Sequence, residues 1–417
     1  MTKWIALVTA LVLVAASCVG AREPGESGGL VWAIGAVDAR PGGSASDTVA
    51  MWNQLHPNGP NVRIEALPES ADDARQQMVL ELNARSSEFD ILTLDVIWTG
   101  EFAENGWLVD LEDIRPAIEA VSLPGPLQSA TWGGTLWAAP HTSDASLLYY
   151  RTDLVDQPPR TWNELMEVGL RVGKERGIAP FVAQGAQYEG MVVNYLEYLW
   201  GAGGDLFSED GTEVRFQREP ALKAITFMRA ALQNGFYAPG FNTMKEEDSR
   251  NAFQSGNAVF MRNWPYAYHL MSGQDPRNPS KVAGKFGIAP LPTFEGEGTI
   301  SGTGGQNLAV SRFSGNVEAA KEFVRFASAT PEVQRKLGQR SLAPTMASVY
   351  GDLAGDPVMA LLGQVLPHAR PRPSTPDWSA ISEVIQREIF PAYNGQREPE
   401  QAVEAIRAFL QSTLDEG

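Results

Sequence analysis

An α/β fold divided between two domains is what this sequence predicts, on three observations. The chain has 417 residues, beyond the ~250–300 at which a single hydrophobic core stops growing. Between residues 30 and 94 strand-like and helix-like patterns alternate, the order that builds a mostly parallel sheet with helices on both faces. At residues 136–151 two apolar runs, LWAAP and ASLLYY, flank the polar step HTSD with no turn chemistry between them. Such runs read as buried strands. Two readings of the pair stand: one extended chain leaving one core for another, with Asp144 at a cleft between two lobes, or a hairpin inside one domain with Asp144 capping a turn.

Composition narrows the function. Hydrophobic content of 43% and charged content of 20% describe an ordered globular protein. A net charge of −17 argues against a nucleic-acid binder, which needs a basic stripe to meet phosphates, and against docking on anionic lipid. Eleven Trp and ten Tyr suit flat, partly apolar ligands such as sugars, although large cores also use such rings. The single cysteine, Cys18, leaves no disulfide and no Cys-based metal site in the folded body.

Taken in order, residues 1–17 carry Lys3, an apolar run too short to span a bilayer, and Ser17 before Cys18, the layout of an export signal. The ending VAASC resembles a bacterial lipobox, with Ala15 where Leu is commonest, so Cys18 is the expected lipid attachment point. Residues 18–29 then form a lipid-anchored tether rich in Gly, Glu and Ser. Within it GESGG matches G-x-S-x-G, but a nucleophile elbow needs a strand before and a helix after. Residues 30–34 read as a strand, 44–56 as a helix, 61–67 as a strand, then a helix capped by Ser70 with Ala74, Met78 and Leu82 on one face, then a strand over 89–94. Ligands of such sheets sit beyond the carboxyl ends of the strands, which is where Asp95 and Trp98 fall. Asp90 points to the opposite face and is assigned to structure.

Past residue 151, Thr161 caps a helix, and Tyr188 and Glu189 precede an aromatic helix whose Gly-rich end reads as a C-cap and turn. Helices follow at 220–234 and from 245, and a buried strand at 258–261 leads to Trp264. A strand over 286–291 lies between Gly/Pro-rich loops at 272–284 and 294–305. Residues 307–310 look like a second crossing and 341–345 a third. Between them lie a helix with Val317, Ala320, Val324 and Ala327 on one face and another opened by Thr330 and Pro331. Residues 378–392 and 397–414 are closing helices. No P-loop is present, and Asn307 stands where a dinucleotide fingerprint needs its last Gly. His56, His141, His269 and His368 have no metal-ligand spacing. No cofactor and no metal are expected.

The pieces FDILTLDVIW (89–98), LLYYRTDL (147–154), FQSGNA (253–258), NWP (263–265) and AAKEFVRF (319–326), with the lipobox and in this order, resemble family 1 extracellular solute-binding proteins of carbohydrate ABC importers over nearly the whole mature chain. LDVIWTGEFAENGW (94–107), LPGPL (123–127) and RPSTPDW (372–378) are most similar to trehalose/maltose-binding lipoproteins. The resemblance implies a two-lobed periplasmic-binding-protein fold, type II-like, with three inter-lobe crossings and a ligand cleft. Residues 30–142 and 303–341 would form the N-terminal lobe, 143–302 and 342–417 the C-terminal lobe. It implies a non-enzymatic, monomeric receptor outside the cell membrane, or periplasmic, anchored only by its lipid, closing on an α-linked disaccharide and delivering it to permease subunits with their ATPase.

By the same resemblance Asp95 and Asp144 are hydroxyl-binding carboxylates and Glu246 or Glu247 a third. Gly304 lets backbone approach the sugar, and Arg372 reaches across the cleft. Trp264 and Trp378 stack on pyranose faces, with Tyr188 and Trp98 as further rings and Glu189 in the same set. The chemistry suits a sugar: each carboxylate accepts two charge-assisted hydrogen bonds, and rings cover C–H faces. A receptor for another glucoside or a glucosylated polyol, or a secreted glycoside hydrolase using two of these carboxylates, are the alternatives.

Overall fold

The computed structural model describes residues 29–208, 211–274, 277–296, 298 and 300–416. The expectations for the export signal, Cys18 and the tether through residue 28 lie outside the described residues. Among the described residues the strands are, in chain order, β1 (Leu30–Gly35), β2 (Val62–Leu67), β3 (Ile91–Asp95), β4 (Thr131–Trp132), β5 (Thr135–Leu136), β6 (Ala138–Ala145), β7 (Leu147–Arg151), β8 (Ala179–Val182), β9 (Ala258–Asn263), β10 (Phe286–Ala289) and β11 (Thr303–Val310).

β1 is apolar along its length because it is covered on both faces; its first five residues are buried. It lies between β2 and β3 and runs parallel to both. β2, at the sheet edge, exposes Arg63 and its neighbours in part and reads as alternating. β11 runs antiparallel to β3 and to β6, completing the order β2-β1-β3-β11-β6. The start of β11 therefore meets the carboxyl ends of β3 and β6. In register, Gln306 faces Asp95 and Gly304 faces Asp144.

The second sheet has the order β10-β7-β9-β8. Only Ser146 separates β6 in the first sheet from β7 in the second, so the 136–151 stretch is a crossing and not a hairpin. β11 holds β6 as far as Ala145, which puts the crossing at residue 146, slightly past the expected boundary of 142/143. Residues 290–302 carry the chain back from β10 to β11. A third segment, after the helix Pro331–Gln339, runs beside β6, with the Ser143 N–H donating to the Ala343 carbonyl at 3.0 Å. The result is a two-lobed fold with a cleft between the sheets; one buried apolar cluster takes in the first sheet and one face of the second, with Leu148, Phe181 and Phe260, and a smaller one covers the second sheet's other face, with Tyr149, Val182 and Met261.

Thr161 caps its helix through a hydrogen bond from the Glu164 N–H at 3.0 Å. Ser70 and Thr330 stand at N-cap positions, but neither side chain accepts a capping bond. Thr330 is at once the C-cap of the preceding helix, and Asp72 and Asp73 bring negative charge to the first turn after Ser70. Asp90 is fully buried and accepts from the Val31 N–H at 2.8 Å and the Ser314 hydroxyl at 2.5 Å; it ties β1 and the residues after β11 together.

Candidate functional site

The cleft encloses a cavity of about 280 Å³ lined from both lobes. The first sheet contributes Asp38, Asp95, Trp98, Asp144, Gly304 and Gln306; the other side contributes Glu189, Glu246, Glu247, Trp264, Tyr266 and Arg372. Nine of the eleven ligand-site residues expected from sequence are therefore brought together. Tyr188 and Trp378 are not among the lining residues.

Arg372 is the charge at the centre, only 4% exposed. Its Nη2 donates to Asp95 Oδ1 at 2.7 Å and its Nη1 to Glu189 Oε1 at 2.7 Å. Asp95 ends β3 and also accepts from the Ile97 N–H at 3.2 Å. Glu189 opens the helix Glu189–Gly201. Arg372 thus reaches across the cleft, giving one N–H of each terminal nitrogen to a carboxylate, while its Nε has no hydrogen-bond partner among the described residues. Burial pushes Glu189 up to about 7, with the Arg372 guanidinium and the Ser382 hydroxyl pulling the other way.

Two further charge contacts span the gap. Arg40 Nη2 lies 3.1 Å from Glu247 Oε2, and Lys245 Nζ lies 3.4 Å from Asp73 Oδ2. Arg250 also grips Glu247 with two bonds of 2.7 Å. Against burial, which pushes it up, Arg250 holds the Glu247 carboxyl below its ordinary value. Glu246 accepts from the Tyr188 hydroxyl at 2.6 Å, and burial raises it. Of the pair the sequence left open, Glu247 is held by Arg250 and Arg40, while Glu246 forms no ion pair among the described residues. Successive helix residues point ~100° apart, so one carboxylate faces Tyr188 and the other faces Arg250.

Asp144 is the least engaged of the acids. Among the described residues one hydrogen bond reaches it, from the Ala343 N–H at 3.4 Å. Burial pushes its carboxyl up to about 7, and the nearby Asp38 charge adds to the effect. Asp38 itself, raised by burial against bonds from Ser44 and Gln306, was missed from sequence. It lies three residues past the carboxyl end of β1, as Asp95 lies at the carboxyl end of β3, so the strand-end rule could have found it.

The rings need correction. Trp264 is half-buried on the cavity, but Trp378 is 1% exposed and its indole N–H donates to Glu189 at 3.1 Å. It opens the helix Trp378–Tyr393, whose apolar face packs on the helix Glu189–Gly201. Tyr188, 2% exposed, stands behind Glu246 instead of beside a ligand. Tyr266, two residues after Trp264 and missed from sequence, lines the cavity and donates to Glu247 at 2.9 Å. At Gly304, which lines the cavity, a Cβ would lie 2.9 Å from Trp264 Cζ3, so the glycine also makes room for the indole.

A family model described as bacterial extracellular solute-binding protein matches residues 38–334. A probable ABC transporter-binding protein of Deinococcus radiodurans is 32% identical over 370 residues, 84% of this chain and 86% of the relative. A mannitol-binding protein of Pseudomonas aeruginosa is 25% identical over 388 residues, 86% of this chain and 87% of the relative. Among solved structures, maltose-bound MalE3 of T. maritima superposes with a TM-score of 0.85 at 35% identity, covering 92% of this chain and 99% of that one.

Proposed function

The chain belongs to the bacterial extracellular solute-binding protein family and is the substrate-binding component of an ABC sugar importer; from that premise we propose that its ligand is an α-linked disaccharide of the trehalose or maltose type. Family members carry solute to a permease and its ATPase without altering it. The carrying observation is the pairing, across one cavity, of acidic acceptors that form no ion pair among the described residues (Asp144, Asp38, Glu246) with the half-buried rings of Trp264 and Tyr266.

Sugar hydroxyls donate to ionised carboxylates in charge-assisted bonds, and the pyranose C–H face rests on the indole. At about 280 Å³ the cavity is just under the ~300–1,000 Å³ of ordinary small-molecule sites, room for one or two rings and not for a long oligosaccharide. A two-lobed closure around ligand is a hinge motion. The maltose in MalE3 supports the disaccharide reading. Cys18 would tether the receptor to the outer face of the membrane.

Titration calorimetry on the purified chain with trehalose, maltose, glucose and mannitol tests this. Heat with at least one α-linked disaccharide, at a lower Kd than for the monosaccharide or the polyol, is the expected result. Silence with every α-glucoside removes the assignment, and heat with mannitol alone transfers it to polyols.

A second expectation concerns Gly304→Ala. The added Cβ meets Trp264 at 2.9 Å, and displacing a packed ring costs about 1–3 kcal/mol. Ligand Kd should rise roughly tenfold while the far-ultraviolet circular dichroism stays that of the parent; an unchanged Kd would show that the indole does not set the ligand's position.

A further inference from the structure

Behind Trp264 a buried ionic cluster joins the cleft to two of the three crossings. Arg262 is 1% exposed and precedes Trp264 by two residues, so strand alternation puts both on one face. Its guanidinium carbon is 4.4 Å from the Trp264 ring centroid. Its Nε and Nη2 donate to Glu197 at 3.0 and 2.6 Å, and its Nη1 donates to Gln184 Oε1 at 2.8 Å.

Glu197, on the helix Glu189–Gly201 and 3% exposed, also accepts from the Ser146 hydroxyl and from the Gly302 N–H at 3.1 Å. Ser146 is the single residue between β6 and β7, and Gly302 directly precedes β11. One carboxylate therefore grips the chain at two of the three points where it changes lobe. The two points are also bonded to each other: the Ser146 N–H donates to the Gly302 carbonyl at 3.3 Å, and the Ser301 hydroxyl donates to the Ser146 carbonyl at 2.9 Å. A Cβ at residue 302 would lie 2.9 Å from Val193 and 3.4 Å from Glu197 Oε1, so glycine lets the carboxylate reach the backbone.

We infer that Glu197 and Arg262 are positioning residues for ligand binding, a joint that links the set of the crossings to the placement of the Trp264 ring. The inference rests on the reading that Trp264 faces the ligand. A buried ion pair is weak evidence for stability, since well-packed apolar groups of similar size often serve as well. What the pair supplies is geometry. The carboxylate takes donors from a helix-packed strand and from two of the crossings, and the planar guanidinium both forks onto it and lies against the indole. A lysine ammonium can do the first in part and cannot do the second.

The test uses the full chain with Arg262→Lys, and a double variant, Glu197→Gln with Arg262→Met, that removes both charges together. Three quantities are read: the Kd for the sugar that gives heat with the parent, the melting temperature without ligand, and the part of the ligand-induced fluorescence change that Trp264→Phe abolishes. Arg262→Lys should melt within a few degrees of the parent, raise Kd about tenfold and diminish the Trp264 component. The double variant should fold and show the same two binding defects. Parent-like Kd with an intact Trp264 signal in both variants overturns the inference. So does a Kd change that merely follows the melting temperature while the Trp264 signal persists, because the pair is then structural. A parent that binds no sugar removes the functional reading and this inference with it.

Discussion

Arg372→Met is expected to lower the melting temperature of the unliganded protein by about 10 °C and to abolish sugar binding. The guanidinium satisfies Asp95 and Glu189 at 2.7 Å each from a position 4% exposed. Removing one partner of a buried pair leaves uncompensated charge, at a cost of about 3–5 kcal/mol, and each kcal/mol moves the midpoint by roughly 2–4 °C for a domain of ~150–250 residues. Binding fails because the same bonds join the end of β3 to the helix Glu189–Gly201 across the cleft. The loss should be pH-dependent. Glu189 already titrates at about 7 in the fold, above an ordinary Glu, and without its cation it rises further. The native state then binds protons that the unfolded state does not, so stability increases as pH falls. Thermal scans at pH 5 and pH 8 should show the variant's deficit shrinking at pH 5; a variant that melts with the parent at both would exclude this role for Arg372.

Asp144→Ala should raise the ligand Kd about 100-fold, the equivalent of about 3 kcal/mol from charge-assisted hydrogen bonds, without destabilising the unliganded protein. Little holds this carboxylate in place: one bond of 3.4 Å reaches it. Asp38, Tyr149 and Tyr350 face it electrostatically, and no cation does so among the described residues. Its carboxyl titrates at about 7, above its ordinary value of 3.8. An acid raised in the fold costs stability as it ionises, so the parent's unliganded stability should decline as pH rises from about 4 through about 7, then level off. Asp144→Ala should flatten that slope. Affinity should run the other way, weakening below pH 7, because sugar hydroxyls donate best to the ionised form. Calorimetry at pH 7 in two buffers of different ionisation enthalpy should reveal a proton released on binding. A melting point lowered by many degrees in Asp144→Ala would instead make the residue structural.

Much of this fold was legible because it is local. The β-α-β-α-β run from residue 30 to 94 follows from period and caps, and Asp95 from its place at a strand end. The 136–151 stretch could not be settled locally. β6 finds its partner in β11, about 160 residues on, and β7 finds β9 and β10, over 100 residues on; a crossing and a hairpin differ only in those distant pairings. Two of the four expected rings, Trp378 and Tyr188, are absent from the cavity lining for a related reason. Whether a tryptophan lines a cleft or closes a core depends on how its helix packs. Trp378 turned inward with the helix it opens, while Tyr266 took a place on the cavity that no pattern around it announced. Arg372 was legible as a residue that spans the gap, but not as one already held by Asp95 and Glu189, because charge partners 277 and 183 residues away leave no mark on spacing.

A crystal structure of the chain with the disaccharide that gives the lowest Kd tests the central claim most directly. The account predicts one sugar in the cavity between the two sheets, with its hydroxyls within hydrogen-bonding distance of Asp144 and Glu246 and one pyranose face over Trp264. A sugar bound elsewhere, or a cavity empty of it at saturating concentration, would contradict the account.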